Sequence, residues 1–454
     1  MIRILSVLRA GLVASTLAAA AATSQAALPI QKWQQPSGAQ VYLVESHSIP
    51  MVDVEIDVDG GSRRDPAAQA GLASLTASMT GKGVQAAGNE PALDENQLGE
   101  AWADLGAGFG GDAGSDRMSF SLRSLTDPAL LAKAVHLAAR QLGEPSFPAD
   151  VWQRERQRIG AAIREANTRP GTVAGRAYRQ AVYGGHPYGY EATEATLAAI
   201  EVDDMRRYYR THVLPCRAKV SVVGNVTRAQ ADALVTELLS RLPQGAGACP
   251  ALPPVGDVAP LAAPAVVSVP FQSAQAHVLI GQPGFRRSDP DFFPLLVGNY
   301  ILGGSGLVSR LSNEVREKRG LSYVASSSFA PGLHAGAFTV GLQTRPDQAA
   351  QATQVARDTV ARFVAEGPTA AELQAAKDNL VGGFPLRIDG NRKLLENVAS
   401  IAWNELPLDY LDTWTAQVAK VTAQDVRAAM ARKLQPDRMV TITVGAAPAA
   451  SASR

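Results

Sequence analysis

The sequence predicts an α+β fold made of two homologous halves, each a mostly antiparallel β-sheet packed with helices. The first observation is residues 243–270, which hold seven prolines and no helical periodicity, the composition of an extended linker. The second is a pattern that recurs at one fixed offset on both sides of this linker. The third is the mixed order of helices and strands, which lacks the strict alternation of a parallel sheet.

The repeat is clearest in a helix–proline–strand pattern near the end of each half. DDMRRYYRTHVLPCRAKVSVVGNV begins at Asp203, and QDVRAAMARKLQPDRMVTITVGAA begins at Gln424. The two align without gaps at an offset of 221 residues, and the same offset places Arg156 on Lys377 in two amphipathic helices. One offset that holds through two separate segments indicates a duplication.

Each half opens with strands that alternate apolar and polar residues. The first half has such strands over 41–44 and 52–58, and their counterpart in the second half covers 276–281. The predicted organisation is a signal peptide (1–26), a first domain (28–242), the linker (243–270), a second domain (271–447) and a flexible tail (448–454).

The N-terminal residues have the features of a cleaved secretory signal. Arg3 and Arg9 precede an alanine-rich apolar run, and Ser24-Gln25-Ala26 fits the small-x-small cleavage rule. A membrane anchor is the alternative, but the run is shorter than the roughly 20 residues that a span needs. We therefore expect a periplasmic or secreted protein that is cleaved after Ala26.

Charge and cysteine content narrow the classes of partner and site. The chain has 43 basic and 42 acidic residues, a net charge of +1 that becomes −1 without Arg3 and Arg9. Neither nucleic acid nor an anionic membrane is expected as a partner. Two cysteines, Cys216 and Cys249, allow either one disulfide or two buried thiols, and no Cys-x-x-Cys motif is present.

The stretch GLASLTASMTGKG, residues 71–83, has the frame of a metalloprotease zinc helix. Other stretches accompany it: GGSRRDP (60–66), FPADVWQRERQRIGAAI (147–163), HPYG (186–189) and LGGSGLVSRLSNEVREKRGLSYVASSSF (302–329). Together they resemble the pitrilysin / mitochondrial processing peptidase family of zinc peptidases, whose signature is the inverted motif H-x-x-E-H. The resemblance spans essentially the whole mature chain and implies two domains that face each other as a clamshell.

The resemblance also locates the zinc-binding positions, and none of them carries a ligand in this sequence. The two histidines fall on Ser74 and Ser78, the catalytic glutamate on Ala77, and the third ligand on Ala162. Hydroxyl and methyl groups cannot replace imidazole and carboxylate around zinc, so no metal or other cofactor is predicted in this chain. Glu155, the remaining acid of the family's Glu-Arg pair, is interpreted as a helix-surface or structural acid.

The second half retains an arginine and a tyrosine seven residues apart, Arg316 and Tyr323. From the residues alone they are a solvated helix end and a half-buried tyrosine, with the helix stopping at Gly320. A strand is expected over Leu321–Phe329, with Leu321 and Tyr323 on one face. The resemblance implies more: in the family such a pair holds the substrate backbone and the developing oxyanion at the zinc site.

The leading hypothesis is therefore a non-catalytic, substrate-binding subunit of a heterodimeric zinc metallopeptidase. It would donate Arg316 and Tyr323 in trans to the zinc site of a homologous H-x-x-E-H partner, which would carry the zinc and act on a peptide substrate. A stand-alone periplasmic peptide-binding or scaffold protein is the alternative. An independent peptidase with an unrecognised site is the third possibility.

Overall fold

The computed structural model describes residues 29–243 and 249–446. The predicted signal peptide (1–26) and the predicted tail (448–454) lie outside the described residues. Within them, each helix is too short or too polar to cross a bilayer.

Residues 29–243 form one six-stranded sheet and a small two-stranded one. The strands are β1 (Gln31–Gln34), β2 (Gln40–Glu45), β3 (Met51–Val58), β4 (Gly83–Val84), β5 (Leu93–Asp94), β6 (Gly108–Ala113), β7 (Met118–Leu125) and β8 (Lys219–Gly224). The large sheet, called the first sheet below, has the order β1-β2-β8-β3-β7-β6. Its neighbours are antiparallel except for β2 and β8.

The helices of this half pack on one face of the first sheet, with one exception described below. They are α1 (Leu72–Met79), α2 (Glu95–Asp104), α3 (Pro128–Gly143), α4 (Ala149–Ala166), α5 (Pro170–Tyr183), α6 (Glu194–Ala198), α7 (Val202–His212) and α8 (Arg228–Leu239). Strand alternation decides which side chains they cover. In β3, Val52, Val54 and Ile56 are buried in the core of this half, so Asp53 and Glu55 lie on the opposite, polar face.

Residues 249–446 repeat this plan with a five-stranded sheet, called the second sheet. Its strands are β9 (Val266–Val269), β10 (Ala276–Pro283), β11 (Ala325–Phe329), β12 (Ala337–Thr344) and β13 (Val440–Val444), in the order β11-β12-β10-β13-β9. The helices are α9 (Phe292–Asn299), α10 (Ala349–Glu366), α11 (Ala370–Gly382), α12 (Asn391–Trp403), α13 (Tyr410–Lys420) and α14 (Ala423–Lys433). Two wider π-helical turns, Tyr300–Gly304 and Ser312–Glu317, lie between α9 and β11.

The two halves share one topology, and the predicted fold is confirmed. The order β2-β8-β3-β7-β6 corresponds to β9-β13-β10-β12-β11, and each sheet has its single parallel pair at the same place. Capping boxes start α7 at Glu201 and α14 at Thr422, at the predicted offset. β9 lies within the segment predicted as linker and is the counterpart of β2.

In each half, one helix packs on the sheet of the other half. α5 of the first half packs on β10 and β13, whereas α12 of the second half packs on β8 and β3. These helices begin at Pro170 and Asn391, again 221 residues apart. The exchange buries apolar surface of both halves in common clusters, so burial itself stabilises the clamshell.

At Gly281 in β10, helix α5 of the first half lies directly against the backbone of the second sheet. Tyr178 of α5 donates a hydrogen bond of 2.5 Å from its hydroxyl to the carbonyl oxygen of Phe338. A Cβ on Gly281 would overlap both of these groups. Gly281→Ala is expected to lower the free energy of unfolding in urea by about 3 kcal/mol, because overpacking also breaks this buried hydrogen bond.

Gly341→Ala in the neighbouring strand β12 is the matched control for this prediction. A Cβ there would meet its nearest neighbour, Leu279, at an ordinary 3.5 Å, so a change below about 1 kcal/mol is expected. Equal losses in the two variants would contradict the role assigned to the contact between Tyr178 and Gly281.

The linker is fastened to the first half at its start. Cys216 and Cys249 form a disulfide with a Cα–Cα distance of 5.6 Å, which decides between the two states that the sequence left open. Arg217 and Arg64 then donate hydrogen bonds to the carbonyl oxygens of Pro250 and Pro253. The start of the linker is thus held along the first half.

Candidate functional site

α1 keeps the frame of the predicted zinc helix. Gly71 precedes it with φ at 103°, a conformation that favours glycine. Asp65 accepts hydrogen bonds from the backbone N–H groups of Gly71 (2.8 Å) and Ala73 (2.9 Å), which satisfies amides that a helix start leaves unpaired. Burial raises the pKa of Asp65 to about 7, although these N–H groups lower it.

The positions predicted to have lost the zinc ligands do not fit the metal. On α1 the Ser74 hydroxyl donates to the carbonyl oxygen of Ala113 at 3.2 Å, Ala77 is fully buried and Ser78 is exposed. Ala162 is exposed on α4. Across residues 29–243 and 249–446, no group of three or more His, Cys, Asp or Glu side chains could hold a metal ion. No step through zinc is therefore assigned to this chain.

Glu155 on α4 is a buried structural acid, the second of the two interpretations offered by the sequence. It is only 7% exposed, and Arg158 donates to its Oε2 from Nε at 2.8 Å and from Nη2 at 2.7 Å. Lys82, at the end of the GLASLTASMTGKG stretch, lies 3.7 Å from its Oε1. The carboxylate therefore links α4 to the turn that follows α1.

Arg316 and Tyr323 lie together on the surface of the second half. The Arg316 guanidinium carbon is 4.7 Å from the centroid of the Tyr323 ring, a cation–π geometry. Gly320 has φ at 59° and donates its N–H to the carbonyl oxygen of Arg316 at 2.8 Å, which reverses the chain between the two residues. The tyrosine is 78% exposed, so its hydroxyl is accessible to another molecule.

The strand predicted over Leu321–Phe329 is wrong at its start. The strand covers only Ala325–Phe329, and Leu321 is buried while Tyr323 is exposed, so they do not share a face. The Ser322 hydroxyl lies 2.6 Å from the carbonyl oxygens of both Val324 and Gln343. These side-chain contacts with the backbone hold residues 321–324 outside the ladder.

Comparison with known proteins places this arrangement in a family. A model described as insulinase (peptidase family M16) matches residues 40–196, and one described as peptidase M16 inactive domain matches residues 199–380. The solved structure of a peptidase M16 inactive domain from Pseudomonas fluorescens is 31% identical, with a TM-score of 0.86, over 92% of this chain and 99% of that one. The chain belongs to the peptidase M16 family.

Two curated M16 relatives differ in how they are named. A protein of Streptomyces coelicolor named as an uncharacterized zinc protease is 31% identical over 282 residues, which is 60% of this chain and 60% of that protein. The non-peptidase homolog YmxG of Helicobacter pylori is 24% identical over 389 residues, 84% of this chain and 86% of that protein. The similarity therefore includes relatives named as proteases and a relative named as a non-peptidase.

A cavity of about 560 Å³ adjoins Tyr323 in this M16 chain. It lies between the first turn of α5 and the second sheet, and His277, Leu279 and Gln343 are among the residues that line it. Burial lowers the pKa of His277, so the imidazole is neutral at neutral pH. Among the described residues, the lining has no Asp, Glu, Lys or Arg, so these residues form an uncharged cavity beside the Arg316–Tyr323 pair.

A second cavity, of about 400 Å³, lies on the polar face of the first sheet and was missed from the sequence. It is lined by Asp53 and Glu55 of β3, among other residues. The signal was present in the stretch MVDVEIDV, because acids at every second position give a strand one apolar and one charged face. Sequence reasoning used that alternation only to predict the strand.

Proposed function

We propose that this M16 chain is the non-catalytic, substrate-binding subunit of a heterodimeric zinc metallopeptidase. The observation that carries the proposal is a contrast between the metal-binding positions and the substrate-binding positions of the family's site. The zinc-binding positions hold serine and alanine, whereas Arg316 and Tyr323 are stacked on each other with the tyrosine exposed. A substrate-binding pair without a metal in its own chain is useful when a partner supplies the metal.

The chemistry of the pair suits stabilisation of charge in a partner's site. A guanidinium is permanently charged and offers several N–H donors in a fixed plane, and a phenol adds one O–H donor. Glu317 Oε1 lies 3.4 Å from the Nε of Arg316, and the Glu317 side chain is itself largely exposed. The guanidinium thus keeps the freedom to bind a peptide carbonyl or an oxyanion.

The names of relatives support a role without catalysis in this chain. The model that matches residues 199–380 is described as an inactive domain, and the Helicobacter relative is named a non-peptidase homolog. We propose on this basis that peptide hydrolysis requires a homologous subunit that carries H-x-x-E-H and zinc.

We also propose that the protein works in the periplasm or outside the cell. The predicted signal peptide and the disulfide between Cys216 and Cys249 support this location, since disulfides persist in oxidising compartments. The same disulfide would be reduced in most cytosols.

The proposal is tested by reconstitution with an H-x-x-E-H homologue from the same genome. Each chain is purified alone, and the two are then mixed and separated by gel filtration. We expect a complex with equal amounts of both chains and peptidase activity that is high only in the mixture. A homologue that is as active alone as in the mixture would overturn the subunit role, and peptide binding by the single chain would then favour a stand-alone binding protein.

A further inference from the structure

The cavity on the polar face of the first sheet contains an incompletely paired acid. Asp53 is 4% exposed and lines the cavity. Among the described residues its Oδ2 is buried without a hydrogen-bond partner, while its Oδ1 lies 3.5 Å from Nη1 of Arg123. A buried carboxylate with one oxygen unpaired is costly, so it calls for an additional donor.

The other charged groups at this cavity do not supply that donor. Arg392 and Glu396, from the first turns of α12, are 81% and 62% exposed and lie 3.6 Å apart, paired with each other. Glu55 is paired with Arg117 at 3.4 Å. Three carboxylates and two guanidiniums line the cavity, and Arg117 pairs with Glu55 from outside the lining. Burial raises the pKa of Asp53, against the lowering effect of Arg123 and Arg392.

The duplicated half shows that the fold does not need these charges. Strand pairing places His277 at the position equivalent to Asp53, because both lie opposite residues 221 apart, Val444 and Val223. By the same pairing, Leu279 replaces Glu55 and Gln343 replaces Arg123. The second half thus builds the equivalent cavity, the one beside Tyr323, without these acids. The same strand pairing therefore forms with these acids in one half and without them in the other.

The cavity is also open toward the edge of the sheet. Gly108 and Gly110 of the edge strand β6 line it, and a Cβ added to either would meet nothing within 4 Å. A side chain from an extended segment that lies near this edge therefore has room to enter. The long stem of an arginine or lysine side chain allows its charged end to reach into the cavity from a segment at the edge.

We propose that this cavity is a subsite for the cationic side chain of a peptide, with Asp53 Oδ2 accepting a hydrogen bond from its guanidinium or ammonium group. The assignment to a peptide rests on the proposed function, in which this chain is the substrate-binding subunit of a peptidase. The cation site itself belongs to this chain alone. The subunit would then select peptides with a basic residue, at a place separate from the Arg316–Tyr323 pair.

The test uses the isolated full-length mature chain and two peptides that differ in one group. Acetyl-Gly-Ala-Arg-Ala-Gly-amide is compared by titration calorimetry with the same peptide that carries citrulline, which has nearly the shape of arginine but no charge. The arginine peptide is expected to bind about tenfold more tightly, as one charge-assisted buried hydrogen bond provides. Asp53→Asn, which preserves the shape of the side chain, should abolish the difference.

Asp112→Asn is the matched control, because it removes one acid from the exposed part of the same edge strand, outside the cavity lining. It should keep the preference of the wild type. Equal binding of the two peptides by the wild-type chain, or a preference that survives Asp53→Asn, would overturn the proposal. Methylguanidine binding as tightly as the arginine peptide would overturn the assignment to a peptide side chain. None of these measurements requires the partner, so their failure would leave the subunit role unaffected.

Discussion

Replacement of Arg316 by alanine should lower kcat/KM of the reconstituted complex by about 100-fold or more. A donor aimed at a developing oxyanion stabilises the transition state by about 3 kcal/mol in a water-excluded site. The loss should fall mainly on kcat, because the interaction strengthens as negative charge develops. Tyr323→Phe keeps the ring beneath the guanidinium and removes one donor, so a smaller loss of about tenfold is expected. Steady-state kinetics on a fluorogenic peptide measure both.

Lys318→Ala is the control for these variants. It removes a neighbouring cation whose Nζ lies 2.6 Å from Glu314 Oε1 on the exposed side of the same turn. Such surface pairs contribute little, so the activity should stay within about threefold of the wild type. An Arg316→Ala complex that still assembles and is as active as the wild type would contradict the shared site.

The duplication could be predicted from the sequence because its evidence is local. Asp204 and Asp425 both serve in the capping boxes of helices that precede a proline and a strand, so the same signals recur at one offset. The exchange of α5 and α12 could not be predicted in this way. An amphipathic pattern shows that a helix has a face to bury, but not which of two similar sheets covers it.

Some features of the candidate site could be predicted from local sequence, whereas others depend on tertiary packing. The resemblance, not the residues alone, implied that Arg316 and Tyr323 act as a pair, and the structure places them in cation–π contact. The prediction that the strand begins at Leu321 was wrong, because the left-handed turn at Gly320 and the side-chain contacts of Ser322 override the apolar alternation. Asp53 could be placed on the charged face of its strand. That one of its oxygens is buried and has no hydrogen-bond partner among the described residues depends on the packing of α12 and the position of Arg123, which only the tertiary structure reveals.

Removal of the disulfide is expected to lower the free energy of unfolding by about 3–4 kcal/mol. Cys216 and Cys249 are 33 residues apart in sequence, and the loop that they close contains β8 and α8. Closing a loop of that length removes about this much conformational free energy from the unfolded chain. Denaturant unfolding of Cys216→Ser/Cys249→Ser, followed by circular dichroism, measures the difference.

Reductant provides the internal control for this prediction. Wild type unfolded in excess dithiothreitol should match the double variant, whereas the double variant itself should not respond to dithiothreitol.

The folded first half should survive in both, because β8 stays paired between β2 and β3 and its valines stay buried in the core without the sulfur bridge. What is lost is the covalent hold on the linker, which is otherwise fixed there by the hydrogen bonds of Arg217 and Arg64 to Pro250 and Pro253. Faster limited proteolysis near residue 250 in the double variant would show this release, and unchanged stability together with unchanged proteolysis would contradict a structural role for the disulfide.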